Sequence, residues 1–181
     1  MRARRQVTRS ISWPSIPILS ERDHGVVLTS DDIKDGAVLP DGQVYSGGNQ
    51  SPQLQWSGAP EGTQSYAVTC FDPDAPTGSG FWHWTVANIP ADVSSLATGA
   101  SGTAAMPDGS VEGRTDFSPS VYGGAAPPPG HGPHRYIFTV YAVDVPHLDL
   151  TRDSSGAFFG FYMHFHALAQ ASITCTYESR P

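Results

Sequence analysis

Apolar side chains in the middle of the chain follow the pattern of two β-strands. Residues 66–71 are β-branched, aromatic or small and contain no glycine or proline, which is typical of a buried or half-buried strand. Residues 81–89 form a second predicted strand, in which successive side chains point to opposite faces. Trp82 and Trp84 are therefore expected to share one face of this strand, with His83 pointing away from them.

A proline-rich loop, Asp-Pro-Asp-Ala-Pro at 72–76, joins these two strands. Its prolines lack a backbone N–H and have a fixed φ, and the residue before each proline is driven out of the helical region. The segment is therefore predicted to be a stiff, extended loop that carries two carboxylates, Asp72 and Asp74. An ordinary turn, in which Asp72 accepts backbone N–H bonds, is the simpler alternative.

A third strand is predicted after Gly-Pro at 132–133, where the chain becomes strongly β-prone up to residue 143. His134 and Tyr136 lie two positions apart and share one face at the start of this strand, while Arg135 points the other way. Carboxylates, imidazoles and a phenol thus lie near the ends of predicted strands, beside proline-rich loops. This arrangement predicts one small polar pocket.

The remaining pattern adds shorter strands and one helix. Residues 92–130 are rich in glycine, proline and serine, so they are predicted to be loop with at most short strands. Their final proline run is expected to form a wall of the pocket. Aromatic side chains at helical spacing predict a helix over about 156–170. Short strands are expected at 26–29, 53–56 and 172–177.

Composition supports a β-rich fold. The 181 residues include 19 glycines and 16 prolines but hardly any lysine, which favours many turns over a helical bundle. A chain of this length can bury a substantial core. We predict a flexible leader at residues 1–22, followed by a single domain at 23–181.

Charge is distributed unevenly along the chain. Four of the ten basic residues lie at positions 2, 4, 5 and 9, and from residue 11 onward the chain has six basic and 17 acidic residues. An acidic body argues against binding nucleic acid. No apolar run approaches the length of a membrane span, and no secretion signal is recognised. Cys70 and Cys175 are expected to be buried free thiols, with a disulfide as the minor alternative. The thiols and the missing secretion signal together predict a cytoplasmic protein.

The motifs disfavour several kinds of catalytic or cofactor site. A metal site built from residues 72, 74, 83 and 134 would lack the short, regular ligand spacing of zinc motifs. Gly-Ser-Gly at 78–80 is a turn and not a hydrolase nucleophile motif. The sequence also contains no phosphate-binding loop and no dinucleotide motif. We therefore predict neither a metal nor a cofactor.

Three segments resemble the hallmark sequences of the phosphatidylethanolamine-binding protein family, in particular its bacterial Raf-kinase-inhibitor-like branch. They are Asp-Pro-Asp-Ala-Pro at 72–76, Trp-His-Trp at 82–84 and Pro-His-Arg-Tyr at 133–136, within a match that runs from about residue 26 to 178. The resemblance implies an antiparallel β-sandwich with a large central sheet, a smaller sheet on one side and a C-terminal helix on the other. It also implies a cis peptide bond between Ala75 and Pro76, and a homodimer.

The family resemblance further implies a surface pocket for phosphate, phosphorylethanolamine head groups or similar small anions. The residues that it assigns to ligand binding are Asp72, Asp74, Pro76, His83, Gly124, Ala125, Pro127, His134 and Tyr136. Many bacterial members carry a cysteine where Ala126 stands here, so a thiol-dependent role at that position is excluded.

The chemistry of this pocket suits binding, because none of its groups is an activated nucleophile. The aspartates at 72 and 74 are expected to keep His83 and His134 protonated, so that their N–H groups grip phosphoryl oxygens. Tyr136 adds one donor, and the second carboxylate could hold a ligand ammonium.

Two alternatives to a binding protein for a small anion or phospholipid head group stay open. One is a kinase or protease regulator acting through protein contacts, and the other is an enzyme using Asp72, His83 and His134 for acid–base chemistry.

Overall fold

The computed structural model describes residues 25–180. This part of the chain folds into two antiparallel sheets and one α-helix. In chain order the elements are β1 (Val27–Thr29), a 3-10 turn (Asp41–Gln43), β2 (Leu54–Ser57), β3 (Ser65–Asp72), β4 (Phe81–Pro90), β5 (Ser95–Leu96), β6 (Val111–Glu112), β7 (His134–Val143), α1 (Gly156–His166) and β8 (Ala167–Tyr177). The leader predicted at residues 1–22 lies outside the described residues.

The larger sheet has five strands in the order β6-β4-β3-β7-β8, and the smaller sheet has three in the order β1-β2-β5. β3 lies in the middle of the larger sheet, where Val68 pairs with Val86 of β4 and with Val140 of β7. Every residue from 65 to 70 is buried, because both faces of this sheet are covered. A strand covered on both faces favours the mainly apolar run that the sequence has at residues 66–71.

Two apolar clusters lie on opposite faces of the larger sheet. Alternate side chains of β3 divide between them, so that Val68 joins the cluster containing Trp56 of the smaller sheet, while Ala67 joins Phe159 and Met163 of the helix. The predicted sandwich, with a smaller sheet on one side and a helix on the other, is confirmed.

The helix is shorter than predicted. It begins after Ser155, whose hydroxyl accepts a hydrogen bond from the Phe158 N–H at 3.3 Å, and it ends at His166. From Ala167 the chain instead pairs with β7 along the whole of β8. The last strand therefore starts five residues earlier than expected, because this pairing satisfies the backbone groups that a longer helix would have bonded internally.

Aromatic spacing predicted the helix but not the face that it buries. Phe159 and Met163 are buried against the sheet, whereas Phe161 and Phe165 are exposed. Gly156 lets the first turn approach closely, since a Cβ at this position would lie 2.1 Å from the Trp82 ring.

The strand order places three chain segments at one end of the larger sheet. β3 ends at Asp72, β4 begins at Phe81 and β7 begins at His134. Because β3 is antiparallel to both neighbours, the end of β3 lies beside the starts of β4 and β7. The proline-rich loops that precede or follow these residues therefore meet at this end.

Cys70 and Cys175 are buried free thiols, as predicted. Burial raises the pKa of both thiols, so neither is set up to react. No helix between residues 25 and 180 combines the length and the apolar character needed to cross a membrane. Over the same stretch, no three histidine, cysteine, aspartate or glutamate side chains are grouped so as to hold a metal ion.

Candidate functional site

Asp72 organises the loop that follows β3. Its buried side chain uses Oδ1 to accept hydrogen bonds from the Asp74 N–H at 2.8 Å and the Ala75 N–H at 3.1 Å. This Asx turn is the ordinary turn that the sequence left open as the simpler alternative, and the expected extended course of residues 72–76 is wrong, because the chain turns there. One oxygen of Asp72 therefore builds the turn, and the other remains for a side chain.

The second oxygen of Asp72 binds His134 at the start of β7. Nδ1 of His134 lies 2.7 Å from Oδ2 of Asp72, with both side chains at most 3% exposed. An ionised carboxylate only accepts hydrogen bonds, so Nδ1 of His134 carries the donated hydrogen. The other ring nitrogen, Nε2, lies 2.7 Å from Nδ1 of His131. Both nitrogens of His134 thus have partners, and one of these partners, His131, was not predicted from the sequence.

His83 lies at a β-bulge, and the bulge changes the face that it occupies. Phe71 pairs with Trp82 but Cys70 pairs with Trp84, which leaves His83 as the extra residue. Trp82 consequently packs against the helix, beside Gly156, while Trp84 joins the cluster on the opposite face of the sheet. The expected arrangement, with both tryptophans on one face and His83 on the other, is therefore wrong.

His83 is bonded to backbone carbonyls and not to a carboxylate. Its Nδ1 donates to the oxygens of Gly123 at 2.8 Å and Gly124 at 3.1 Å, because carbonyl oxygens only accept. Burial lowers the pKa of His83, against the weaker opposing effects of these carbonyls and of the charge on Asp72. The expectation that aspartates keep His83 protonated is therefore wrong: the neutral ring presents Nε2 as an acceptor.

A cavity of about 200 Å³ opens between the loops at this end of the sheet. It brings Asp72, His83 and His134 together with Pro76 and Pro127. The rest of its wall consists of Ala75, Thr77, Phe81, Phe117, Ala126 and Pro128. Two imidazoles and one carboxylate are therefore set among mostly apolar side chains, an arrangement typical of a small-ligand site.

Phe81 and Phe117 are wall residues that the sequence analysis missed. Their rings pack edge-to-face with centroids 4.7 Å apart, and Phe117 also lies edge-on to His83 at 5.4 Å. Phe117 comes from the irregular segment 92–130, where no periodic pattern indicates the direction of a side chain. Only the course of that loop shows that it reaches the pocket.

A larger groove of about 740 Å³ lies between residues 38–41 and the end of β8. Among residues 25–180, the charged side chains that line it are Asp41, Glu178 and Arg180, which carry both signs of charge, and no histidine of this range lines it. The smaller cavity is the better candidate site, because it holds the buried titratable groups.

Comparison with known proteins assigns the chain to a family. The family model described as Phosphatidylethanolamine-binding protein matches residues 29–178. The chain belongs to the phosphatidylethanolamine-binding protein family. One curated relative, the UPF0098 protein YbhB of Escherichia coli (strain K12), is 53% identical over 157 residues, which cover 83% of this chain and 99% of YbhB.

Solved structures of family members have the same fold. The crystal structure of E. coli YbcL, described as a new member of the mammalian PEBP family, is 47% identical with a TM-score of 0.84, covering 86% of this chain and 99% of that one. The structure of CT736 from Chlamydia trachomatis, described as a putative PEBP homolog, is 29% identical with a TM-score of 0.74, covering 87% and 99%.

One feature that the family resemblance implied does not occur in this chain. Within residues 25–180 no peptide bond is cis, so the bond between Ala75 and Pro76 is trans and the prediction of a cis bond is wrong. The Asx turn of Asp72 shapes this loop, together with a hydrogen bond from the Thr77 N–H to the Ala75 carbonyl at 2.8 Å. The loop therefore forms with the trans peptide bond, which is the commoner isomer.

Asp74, a second residue expected from the family resemblance, is engaged outside the pocket. Its carboxylate accepts two hydrogen bonds from the Arg135 guanidinium, at 2.8 and 2.9 Å, and one from the Arg135 N–H at 2.9 Å. These bonds hold the pKa of Asp74 at about 2. The expected pairing of Asp74 with a pocket histidine is therefore replaced by a bond between the loop and β7, and Asp74 does not border the cavity.

Tyr136 lies against the pocket histidine without bordering the cavity. Its ring packs edge-on to His83 with centroids 5.1 Å apart, and burial raises the pKa of its hydroxyl, helped by the charge on Asp72. Within the part of the chain that the structure describes, the hydroxyl lies near the backbone of Ala126 but has no partner with the geometry of a full hydrogen bond. Such an unpaired buried donor is uncommon.

Gly124 and Ala125 position the site without bordering the cavity. The Gly124 N–H donates to the side-chain oxygen of Asn49 at 2.8 Å, and the Ala125 carbonyl accepts from the Tyr45 N–H at 3.0 Å. These bonds fix the carbonyls of residues 123 and 124 that bind His83. Ala126 and Pro127 follow directly and line the cavity.

The environment of His83 predicts how stability depends on pH. A histidine in the unfolded chain has a pKa of about 6.5, and burial lowers the pKa of folded His83. As pH falls below about 6.5, the unfolded chain takes up a proton that folded His83 does not, so the free energy of unfolding decreases until the folded pKa is reached. The variant His83→Gln should lack this contribution.

Urea unfolding of the parent and His83→Gln, from about pH 8 to about pH 5, measures this contribution as the difference in free energy of unfolding at each pH. His147→Gln, which changes an exposed histidine, is the matched control. A difference between the parent and His83→Gln that stays constant over this range would contradict the prediction.

Proposed function

We propose that this protein binds a small anion of the phosphate or phosphorylethanolamine type in the pocket containing Asp72, His83 and His134. One observation carries the proposal: two imidazoles lie beside one internally bonded carboxylate in a cavity of about 200 Å³. Such a cavity suits a head group better than a drug-sized ligand, for which pockets are roughly 300 Å³ or more. Membership of the phosphatidylethanolamine-binding protein family supports the same proposal.

The charge on Asp72 does not preclude an anion, because internal donors surround it. The amides of Asp74 and Ala75 donate to one oxygen, and His134 donates to the other. Hydrogen bonds to a carboxylate disperse its charge and reduce its repulsion of a neighbouring anion. Asp72 thus acts as an anchor for the loop and for His134.

His83 supplies a donor once a proton joins the complex. Its Nδ1 is committed to two carbonyls, so a ligand can meet only Nε2, which accepts hydrogen bonds in the neutral ring. A bound anion stabilises the protonated ring, and a phosphate monoester, whose second pKa is about 6, can also bring the proton itself. By either route, the complex holds more protons than its separate components near neutral pH.

Affinity for the anion is therefore expected to fall as pH rises from about 6 to about 8, because the complex binds more protons than the separate protein and anion do. Calorimetric titration with phosphorylethanolamine, and separately with inorganic phosphate, measures this dependence. The variant His83→Gln should bind roughly 10- to 100-fold more weakly, as expected for the loss of a hydrogen bond to a charged group, and its affinity should vary less with pH.

The control His147→Gln should bind as the parent does, because residue 147 does not border the pocket. If affinity is the same at every pH and His83→Gln binds like the parent, another part of the chain binds the anion and the proposal fails.

The remaining hypotheses from the sequence stay predictions. They are regulation of a kinase or protease through protein contacts, acid–base catalysis by Asp72, His83 and His134, homodimer formation, a cytoplasmic location and a single domain over residues 23–181. Solution scattering at working concentration tests the homodimer, and turnover of candidate small molecules tests catalysis.

A further inference from the structure

His131 contacts His134 at the atom through which His134 could bind a ligand. Nδ1 of His134 is occupied by Asp72, so Nε2 is the ring nitrogen that remains. Nδ1 of His131 lies 2.7 Å from this atom, and the two rings meet edge-on with centroids 4.9 Å apart. The contact is therefore a directed hydrogen bond and not an incidental approach.

A tight turn presents His131 to His134. The His131 N–H donates to the Pro128 carbonyl at 3.1 Å, with Pro129 and Gly130 at the central positions. Gly130 has φ 76°, and this combination of proline followed by glycine is the one that a type II turn favours. The backbone at His131 is thus held in place while its side chain remains exposed to solvent.

Only one proton fits between two nitrogens that lie 2.7 Å apart. Either His131 donates to a neutral His134, or a protonated His134 donates to a neutral His131. In both arrangements Nε2 of His134 has no hydrogen available for a ligand. An anion can therefore use His134 only after the bond to His131 has been broken.

We propose that His131 is an affinity- and specificity-determining residue of the pocket, which competes with the anion for Nε2 of His134. The anion binds by taking the place of Nδ1 of His131, an exchange that rests on the anion-binding function proposed above. Rotation of one exposed side chain is sufficient, so the turn at 128–131 keeps its shape. The exchange selects anions that accept a hydrogen bond from His134 more strongly than an imidazole does. Anions with phosphoryl oxygens are of this kind.

Two measurements on His131→Ala test this competition. Diethyl pyrocarbonate acylates unprotonated imidazole nitrogens that reach solvent, and mass spectrometry locates the label. His134 should be protected in the parent and should react several-fold faster in His131→Ala. In calorimetric titration with inorganic phosphate, His131→Ala should bind roughly two- to tenfold more tightly, because no internal hydrogen bond has to be broken first. His147→Ala, which removes another exposed histidine, should match the parent in both measurements.

The outcomes separate this proposal from the function on which it rests. If the parent binds phosphate and His131→Ala binds it equally or more weakly, His131 is a spectator or a direct ligand, and the competition is overturned. Unchanged reactivity of His134 in His131→Ala also overturns it. If neither protein binds phosphate or phosphorylethanolamine at any pH, the anion-binding function itself fails, and the competition fails with it.

Discussion

Replacing Asp72 by alanine is expected to lower the free energy of unfolding by about 3 kcal/mol, the lower end of the cost of removing one partner from a buried pair. The substitution leaves three donors without their acceptor: the amides of Asp74 and Ala75 and the Nδ1 hydrogen of His134. Anion binding should also be lost, because the loop and His134 lose their common anchor. Urea unfolding and calorimetric titration measure the two effects.

Asp74→Ala is the matched control for Asp72→Ala, since it removes the other carboxylate of the same loop. The side chains of Asp74 and Arg135 are 31% and 55% exposed, and an ion pair of that kind contributes at most about 1 kcal/mol. Asp74→Ala should therefore remain folded and bind the anion with nearly the affinity of the parent. Equal losses of stability in the two variants would contradict the different roles assigned to the two aspartates.

Gly124→Ala is expected to destabilise the protein by about 3 kcal/mol, at the upper end of the usual cost of inserting a methyl group into a packed site. The added Cβ would lie 2.4 Å from the Gln43 carbonyl oxygen and 2.5 Å from the Tyr45 nitrogen. Both are backbone atoms, so no side chain can rotate to relieve the clash. The segment that holds His83 must shift, and anion affinity should fall together with stability.

Gly42→Ala provides the control for Gly124→Ala from the neighbouring turn. A Cβ at residue 42 meets no atom within 4 Å, and its φ is not in the left-handed region. Stability should stay the same or rise slightly, because alanine restricts the unfolded chain. Comparable destabilisation by both substitutions would show that the backbone contact at Gly124 is not the cause.

The sequence predicted the course of the strands that build the site. Residues 66–71 form a breaker-free run within β3, and the segments predicted at 81–89 and after residue 133 became β4 and β7. Apolar patterning determines these elements locally. The close approach of Asp72 to the starts of β4 and β7 then follows from antiparallel pairing.

Predictions that depended on strict alternation or on helical spacing were less accurate. A bulge opposite Cys70 and Phe71 moved His83 to the face occupied by Trp84, and no residue type in β4 signals it. The helix ends at His166 because the residues that follow it pair with β7 and form β8. Both differences arise from contacts with strands that are distant in sequence, which override local preference.

Local sequence by itself determined the proline-restricted backbone of the 72–76 loop, the Asx-turn capacity of Asp72 and the ends of the strands that carry the site. Only the tertiary structure decided which groups those side chains meet. His83 lies against carbonyls about 40 positions away, Asp74 binds Arg135, and His131 reaches His134 from a neighbouring turn. The charge and hydrogen-bonding role of a buried group depend on desolvation and on its immediate partners, and these exist only once the distant segments have packed together.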